Sequence, residues 1–290
     1  MRCKSAVSIF MMCLVAGCAT PGNDRSRLVT TEHYVQVKST APGHNGKDAK
    51  LYVREVMPEG MSARGPSGRP VVLFVHGAGT PAEVAFDVPH ADYSWMAYLA
   101  KAGFDTFAMD LIGYGRSTRP AAMENPCNLA QDEQAHFVPV VISAPCAPTL
   151  STVITTLDSD WHDIGAVVDH LRALRGVDHV SLIGWSLGGP RAGGYAVRNP
   201  DKVARLVVLA PVYTRASNAG APSPLPPIDG PMRAQSAADF KSNWDRQVGC
   251  SEQYDSATSA AIWADMLASD PVGAKWGPGV RRAPRVLPTW

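Results

Sequence analysis

Charge is scarce in this chain of 290 residues: charged side chains make up 18%, and 27 basic against 26 acidic residues leave a formal net charge of +1. No basic field exists to displace counterions from a phosphate backbone, which argues against nucleic acid as a partner. With 46% apolar residues the chain is too apolar for disorder and long enough to bury a sizeable core. No Gly-X-Y period runs through the 25 Gly and 24 Pro, so collagen-like structure is excluded and many long loops are implied. None of the 6 cysteines forms a CxxC pair or joins a histidine cluster with metal-ligand spacing, so no metal is expected. No internal repeat is visible.

What is present begins with a leader. Arg2 and Lys4 precede an apolar run from Ala6 to Ala16 that is too short to cross about 30 Å of hydrocarbon, the pattern of a signal peptide. Its end, Val15-Ala16-Gly17-Cys18, resembles a bacterial lipobox, which implies a mature N-terminus at Cys18 and acylation of that thiol. Several acyl chains, at about 0.8 kcal/mol per buried CH₂, hold a protein at a membrane far more stably than one. The expected location is the cell envelope, on the periplasmic side of the outer membrane in a Gram-negative cell, because Ala19 and not Asp follows the cysteine. The alternative is an ordinary cleaved signal and a secreted or periplasmic protein. Export exposes Cys127, Cys146 and Cys250 to an oxidising compartment. A Cys127–Cys146 bridge is expected, three free thiols being the other reading; the bridge would stabilise by about 3 kcal/mol on a chain-entropy argument.

Beyond a polar tether, strand-like and helix-like runs alternate, which argues an α/β sheet. His33–Ser39 and Lys50–Met57 alternate apolar with polar, as a two-stranded start would. Val71–Val75, Thr106–Met109, Val180–Ile183 and Leu206–Leu209 are continuous apolar runs, as expected of strands covered on both faces. Trp161, Ile164, Val167, Val168, Leu171 and Leu174 fall at helical spacing, with Asp158 and Ser159 as capping candidates and Gly176 as the stop. A second stripe, Trp95, Met96, Leu99 and Ala100, runs up to Gly103. The expected division is a signal peptide over 1–18, a tether over 19–31, an α/β core over 32–211 with an excursion over 118–157, and a lid or cap region over 212–290.

The sharpest chemical signal is Gly184-Trp185-Ser186-Leu187-Gly188, lying directly after the Val180–Ile183 run and before a helix expected from about Gly189 to Arg198. A serine thrown out on a strand-to-helix turn sits in a strained conformation, so its neighbours two residues away must be small. Pro190 in the first helical turn costs no hydrogen bond, Gly193 and Gly194 are expected to pack closely on the strands, and the helix N-terminus faces any anion formed at Ser186. A second signal is His76-Gly77-Ala78-Gly79 at the end of the Val71–Val75 run. There the backbone N–H of Ala78 is expected to pair with that of Leu187 to hold a developing oxyanion, each such donor being worth about 10²- to 10³-fold in rate. His76 is expected to position the loop through its ring nitrogens. A glycine-bearing turn, Asp110-Leu-Ile-Gly-Tyr-Gly-Arg-Ser117, follows the next strand and is expected to be architectural.

Residues 71–79, 106–117 and 180–198 together resemble the α/β-hydrolase superfamily: an HG-x loop, then D-x-x-G-x-G-x-S, then the GxSxG elbow. The resemblance implies a mostly parallel central sheet flanked by helices. It also implies hydrolysis of an ester or related acyl bond in a small-molecule substrate, through an acyl-Ser186 intermediate and without a cofactor. Esterases, lipases, C–C hydrolases, acyltransferases and cofactor-free haloperoxidases share these parts, so the substrate stays open. Serine at position 186 argues against haloalkane dehalogenases and epoxide hydrolases, whose elbow nucleophile is Asp.

The family order implies that an acid and then a histidine follow the serine. All 8 histidines, His33, His44, His76, His90, His136, His162, His170 and His179, precede Ser186. Asp229, Asp239, Asp245, Asp255, Asp265 and Asp270 all fall in the lid region. Three accounts stay open: a fragment lacking the last strands, a non-catalytic envelope-anchored binding protein, or substitution by His90, His136 or His162. Loss of the last strands would leave the outer edge of Leu206–Leu209 unpaired.

Overall fold

The computed structural model describes residues 27–62, 64–212, 230–250 and 252–287. The proposed signal peptide, Cys18 and residues 213–229 of the expected lid lie outside them. Strands β1 (Leu28–Lys38) and β2 (Asp48–Pro58) form an antiparallel pair with Tyr34 opposite Tyr52. The residues expected as the end of a tether, 28–31, are therefore strand. Next come β3 (Val71–Val75), the short helix α1 (Ala82–Phe86), helix α2 (Trp95–Lys101) and β4 (Asp105–Met109).

The excursion carries a one-turn helix α3 (Gln131–Gln134) and a two-residue strand β5 (Thr155–Thr156). Helix α4 (Leu157–Arg175), β6 (Val180–Trp185), α5 (Gly188–Arg198) and β7 (Val203–Leu209) complete the core. Six strands form one sheet in the order β1-β2-β4-β3-β6-β7. The last four are parallel to one another, and β2 runs antiparallel to β4.

Burial on both faces explains the unbroken apolar runs. Along β3 the side chains of Val71, Leu73 and Val75 join a core with Ile164, Val167 and Leu171 of α4. Val72 and Phe74 enter a second core with Phe86, Met96 and Ala100 of α1 and α2. Helix α4 is capped at Thr156, two residues before the nearer of the two expected capping candidates. Thr156 accepts from the Ser159 amide and Ser159 answers onto the Thr156 amide, while Gly176, at φ +63°, closes the C-terminus. Gly194 does not pack on the strands as expected: an added Cβ would meet the indole of Trp161 on α4 at about 2.5 Å.

The excursion is pinned from within. Cys127 and Cys146 are disulfide-bonded, with their Cα atoms 5.2 Å apart. The buried Gln134 side chain donates to the carbonyls of Leu129 and Cys146 at 3.0 Å and accepts from the Cys146 amide at 2.8 Å. Beyond the undescribed stretch, β8 (Met232–Ser236), α6 (Ala237–Asp245), α7 (Thr258–Ala268), β9 (Val280–Pro284) and β10 (Val286–Leu287) follow. β8 and β9 form an antiparallel ribbon, and β10 lies parallel to β5. Met232 and Val280 pack on Met123, Leu129 and Ile154, so ribbon and excursion share a small core. This assembly covers the turn after β4, where Pro284 fills the space a Cβ on Gly113 would need.

Candidate active site

Ser186 lies between β6 and α5 with φ +55°, a left-handed conformation that costs a non-glycine residue about 1 to 3 kcal/mol and persists only where its surroundings impose it. Here the turn is tied from both sides. The Ser186 amide donates to the Leu209 carbonyl at 2.9 Å, and the Ser186 carbonyl accepts from Gly189 at 2.9 Å and Val212 at 3.1 Å. A Cβ on Gly188 would overlap the Val75 carbonyl, and one on Gly184 the Gly188 carbonyl. Gly77 packs on the serine itself, since a Cβ there would lie 2.9 Å from Ser186 Cβ and 3.4 Å from its Oγ.

Two peptide units beside the serine are held in defined orientations. His76 is fully buried, with Nδ1 donating to the Gly77 carbonyl at 2.8 Å and Nε2 accepting from the Leu111 amide at 3.2 Å. Burial first, then the charge of Arg191, push its pKa down to about 3, so the ring is neutral. Arg191 Nη1 donates to the carbonyls of His76 at 3.1 Å and Gly77 at 3.0 Å. Because a trans peptide sets C=O and N–H on opposite sides, fixing the Gly77 carbonyl toward Arg191 turns the Ala78 amide the other way. The same logic applies to Leu187, whose amide opposes the Ser186 carbonyl already engaged by Gly189 and Val212. Among the described residues neither the Ala78 nor the Leu187 amide donates to a protein acceptor.

The sequence pattern carried no sign of the frame behind these loops. Arg191, fully buried, meets Asp160 with Nε 2.7 Å from Oδ2 and donates to the Tyr114 hydroxyl at 3.3 Å. Asp163, one turn along α4, accepts from the Ile112 amide at 3.2 Å. Burial and then the neighbouring Asp160 push the Asp163 carboxyl well above the usual range. Asp110 holds the amides of Ala82 at 2.7 Å and Arg116 at 2.9 Å, and burial raises its pKa. A Cβ on Gly115 would overlap the Asp110 carboxylate, so the Asp110–Ser117 turn is architectural.

No candidate base reaches the serine. Among the described residues no histidine ring hydrogen-bonds Ser186; His90 Nε2 instead sits 3.3 Å from Asp255 Oδ2, and His136 and His162 are exposed. Nor do the described aspartates of the lid region supply the acid. Asp270 is gripped by Arg282 through contacts of 2.6 and 3.0 Å and by the Gly273 amide at 3.1 Å. Burial acts to raise its pKa, but the Arg282 hydrogen bonds and the Arg119 charge hold it below the usual range. Asp239 caps α6, and Asp245 pairs with Lys241. Asp265 is pushed up to about 6 by burial and by Glu83. Two apolar grooves, of about 540 and 370 Å³, open on the sheet face that carries Ile183, Trp185 and Leu209; Ser186 lines neither.

A family model for the alpha/beta hydrolase fold matches residues 70–281, more than half of the chain. The protein belongs to the α/β-hydrolase family, with its mostly parallel sheet and flanking helices. Among solved structures it is similar to a predicted CIB-like hydrolase from Thermoplasma acidophilum, at 16% identity, 64% of this chain, 65% of that one and a TM-score of 0.39. It is also similar to a probable hydrolytic enzyme from Pseudomonas aeruginosa PAO1, at 19% identity, 80% and 58% coverage and a TM-score of 0.44. The corresponding values for an epoxide hydrolase from Vigna radiata are 21%, 66%, 44% and 0.36. The chain thus spans less than two thirds of the length of each. No curated protein matches it.

Proposed function

We propose that the protein is a serine hydrolase acting on an ester or related acyl bond of a small molecule, with Ser186 as nucleophile and the amides of Ala78 and Leu187 as the oxyanion donors. The observation that carries this reading is the φ of +55° at Ser186, strain maintained at a serine packed directly on the Gly77 loop. Attack by Oγ on the carbonyl carbon, with its proton passing to solvent water, would form a tetrahedral adduct whose oxyanion the two amides stabilise. Its collapse would break the bond to the alkoxide, which takes a proton from water and leaves as the alcohol, and water then cleaves acyl-Ser186 to the acid and the free serine. No cofactor enters this scheme.

The test is labelling with a fluorophosphonate probe. Slow labelling of Ser186 in the full chain, abolished in Ser186→Ala, is the expected result; equal labelling of the two proteins would overturn the assignment. Turnover of p-nitrophenyl esters should be weak, because sites of this chemistry without one triad member keep only about 10³- to 10⁴-fold acceleration over water. A second reading, a non-catalytic binding protein of the same fold, is favoured by the absence of any histidine on Ser186 among the described residues. It requires that native protein label no faster than denatured protein.

The lipobox-like end of the leader supports an envelope location with the protein held to the membrane through acylated Cys18. Cells fed a clickable palmitate should label it, and Cys18→Ser should remove the label and leave precursor unprocessed. Unchanged processing would instead support ordinary secretion.

A further inference from the structure

Among the described residues the fully buried arginines have carboxylate partners, whereas the partly buried Arg281, beside the candidate site, has none. Arg175 is paired with Glu55 and Asp105, Arg191 with Asp160, Arg282 with Asp270, and Arg119 lies 3.7 Å from Asp270. Arg281 of β9 meets no carboxylate among the described residues. Its Nη1 donates to Thr80 Oγ1 at 3.1 Å, and its guanidinium lies flat against Gly79, where a Cβ would stand 2.8 to 3.0 Å from Cζ, Nη1 and Nη2.

The β8–β9 register adds two further groups. Gln235 is directly opposite Arg281, and Arg233 opposite Ala283, so Arg233, Gln235 and Arg281 share one face of the ribbon. Arg233 makes no ion-pair contact among the described residues, and its nearest acidic influence is Glu133, whose carboxyl burial pushes up and the Arg233 charge helps hold down. The Gln235 Oε1 atom is buried without a hydrogen-bond partner, and turning the amide over would put its NH2 donors at that position instead. Burial and then Arg233 push the Arg281 pKa down to about 10, which leaves it a cation at neutral pH. A partly buried guanidinium with no carboxylate in contact loses hydration that an entering anion can replace.

Resting on the serine-hydrolase reading above, we propose that Arg281, with Arg233 and Gln235, forms a subsite for a carboxylate carried by the substrate. The protein would then act on acidic esters, such as half-esters of short dicarboxylic acids, in preference to neutral ones. The geometry suits that length. Gly79, under the guanidinium, is two residues from Gly77, which touches Ser186, a chain distance of at most about 7 Å.

Calorimetric titration of the full chain with monomethyl succinate and dimethyl succinate tests this. Monomethyl succinate should bind the wild type and Ser186→Ala alike, at least tenfold more weakly to Arg281→Gln, and with partial recovery in Arg281→Lys. Dimethyl succinate should bind weakly and independently of residue 281. Thermal midpoints should show Arg281→Gln folded, since no ion pair is lost. Equal binding of monomethyl succinate to wild type and Arg281→Gln overturns the proposal, as does tighter, Arg281-dependent binding of inorganic phosphate, which would make the ligand a phosphate. Because binding needs no reactive serine, Arg281-dependent binding together with absent fluorophosphonate labelling would sink only the nucleophile assignment.

Discussion

Arg191 of α5 holds Asp160 of α4 through a 2.7 Å contact between Nε and Oδ2, with neither side chain reaching solvent. The same guanidinium fixes the carbonyls of His76 and Gly77, so one ion pair ties the helix before the elbow, the helix after it and the loop facing the serine. Removing the cation alone leaves a buried carboxylate uncompensated, which typically costs about 3–5 kcal/mol. Arg191→Met should therefore lower stability by that order in urea unfolding, and Arg191→Met combined with Asp160→Leu should recover most of it. Fluorophosphonate labelling should be lost in the single and the double variant alike, because the His76 and Gly77 carbonyls then lose the donor they share. Recovered labelling would show that the loop holds its orientation unaided.

A serine at φ +55° stores strain that glycine does not. Ser186→Gly should raise stability by about 1 kcal/mol relative to Ser186→Ala, while both abolish labelling. Equal unfolding midpoints for the two variants would mean that the turn is relaxed.

His76 gives the fold a pH dependence of known sign. The native ring keeps a pKa of about 3 against an ordinary value of 6.5. Below that ordinary value the unfolded chain takes up a proton that the native protein refuses, so stability is lost as pH falls from about 6.5 toward 3. Burial of Asp163 contributes the opposite slope, and comparison with a variant separates the two. His76→Gln keeps a donor for Gly77 and an acceptor for Leu111 without titrating. Between pH 6 and 5 the wild type should lose about 1 kcal/mol more stability than His76→Gln, following about 1.4 kcal/mol per pH unit for one fully depressed group. Parallel stability profiles would place a proton on the native ring.

Legibility in the sequence followed range. The elbow was readable because its constraints are local: Gly184 and Gly188 lie two residues on either side of Ser186, and the apolar run before it belongs to a strand covered on both faces. The helix over Leu157–Arg175 was readable from its period, but its cap was misplaced, because Asp158 and Thr156 both suit a cap and only the chain direction at β5 selects Thr156. The frame was not readable. Arg191 meets Asp160 across 31 residues, and Arg281 meets Thr80 across 201, contacts that no periodicity encodes. Gly194 misled for the same reason, since a glycine announces a close approach without naming its partner.

Strand β7 presents an apolar edge. Among the described residues it ends the sheet order, pairing with β6 on one side only, and Leu206, Val207, Val208 and Leu209 are 41–52% exposed. No charge interrupts the run through Ala210, and an apolar groove of about 540 Å³ lies against Val207 and Leu209. A flat apolar edge with open N–H and C=O groups is a template for another strand, and native edges are commonly blunted by an inward-pointing lysine. The full chain should therefore self-associate with rising concentration in sedimentation velocity. Val207→Lys should suppress this without unfolding the core, because the pairing of β7 with β6 uses backbone groups on its other side. A lysine at an exposed site away from the strand, such as Val197→Lys on α5, should leave self-association unchanged; if it suppresses association equally, net charge rather than the β7 edge governs it. A wild-type chain that stays monomeric across the range would mean that the edge is already covered in solution.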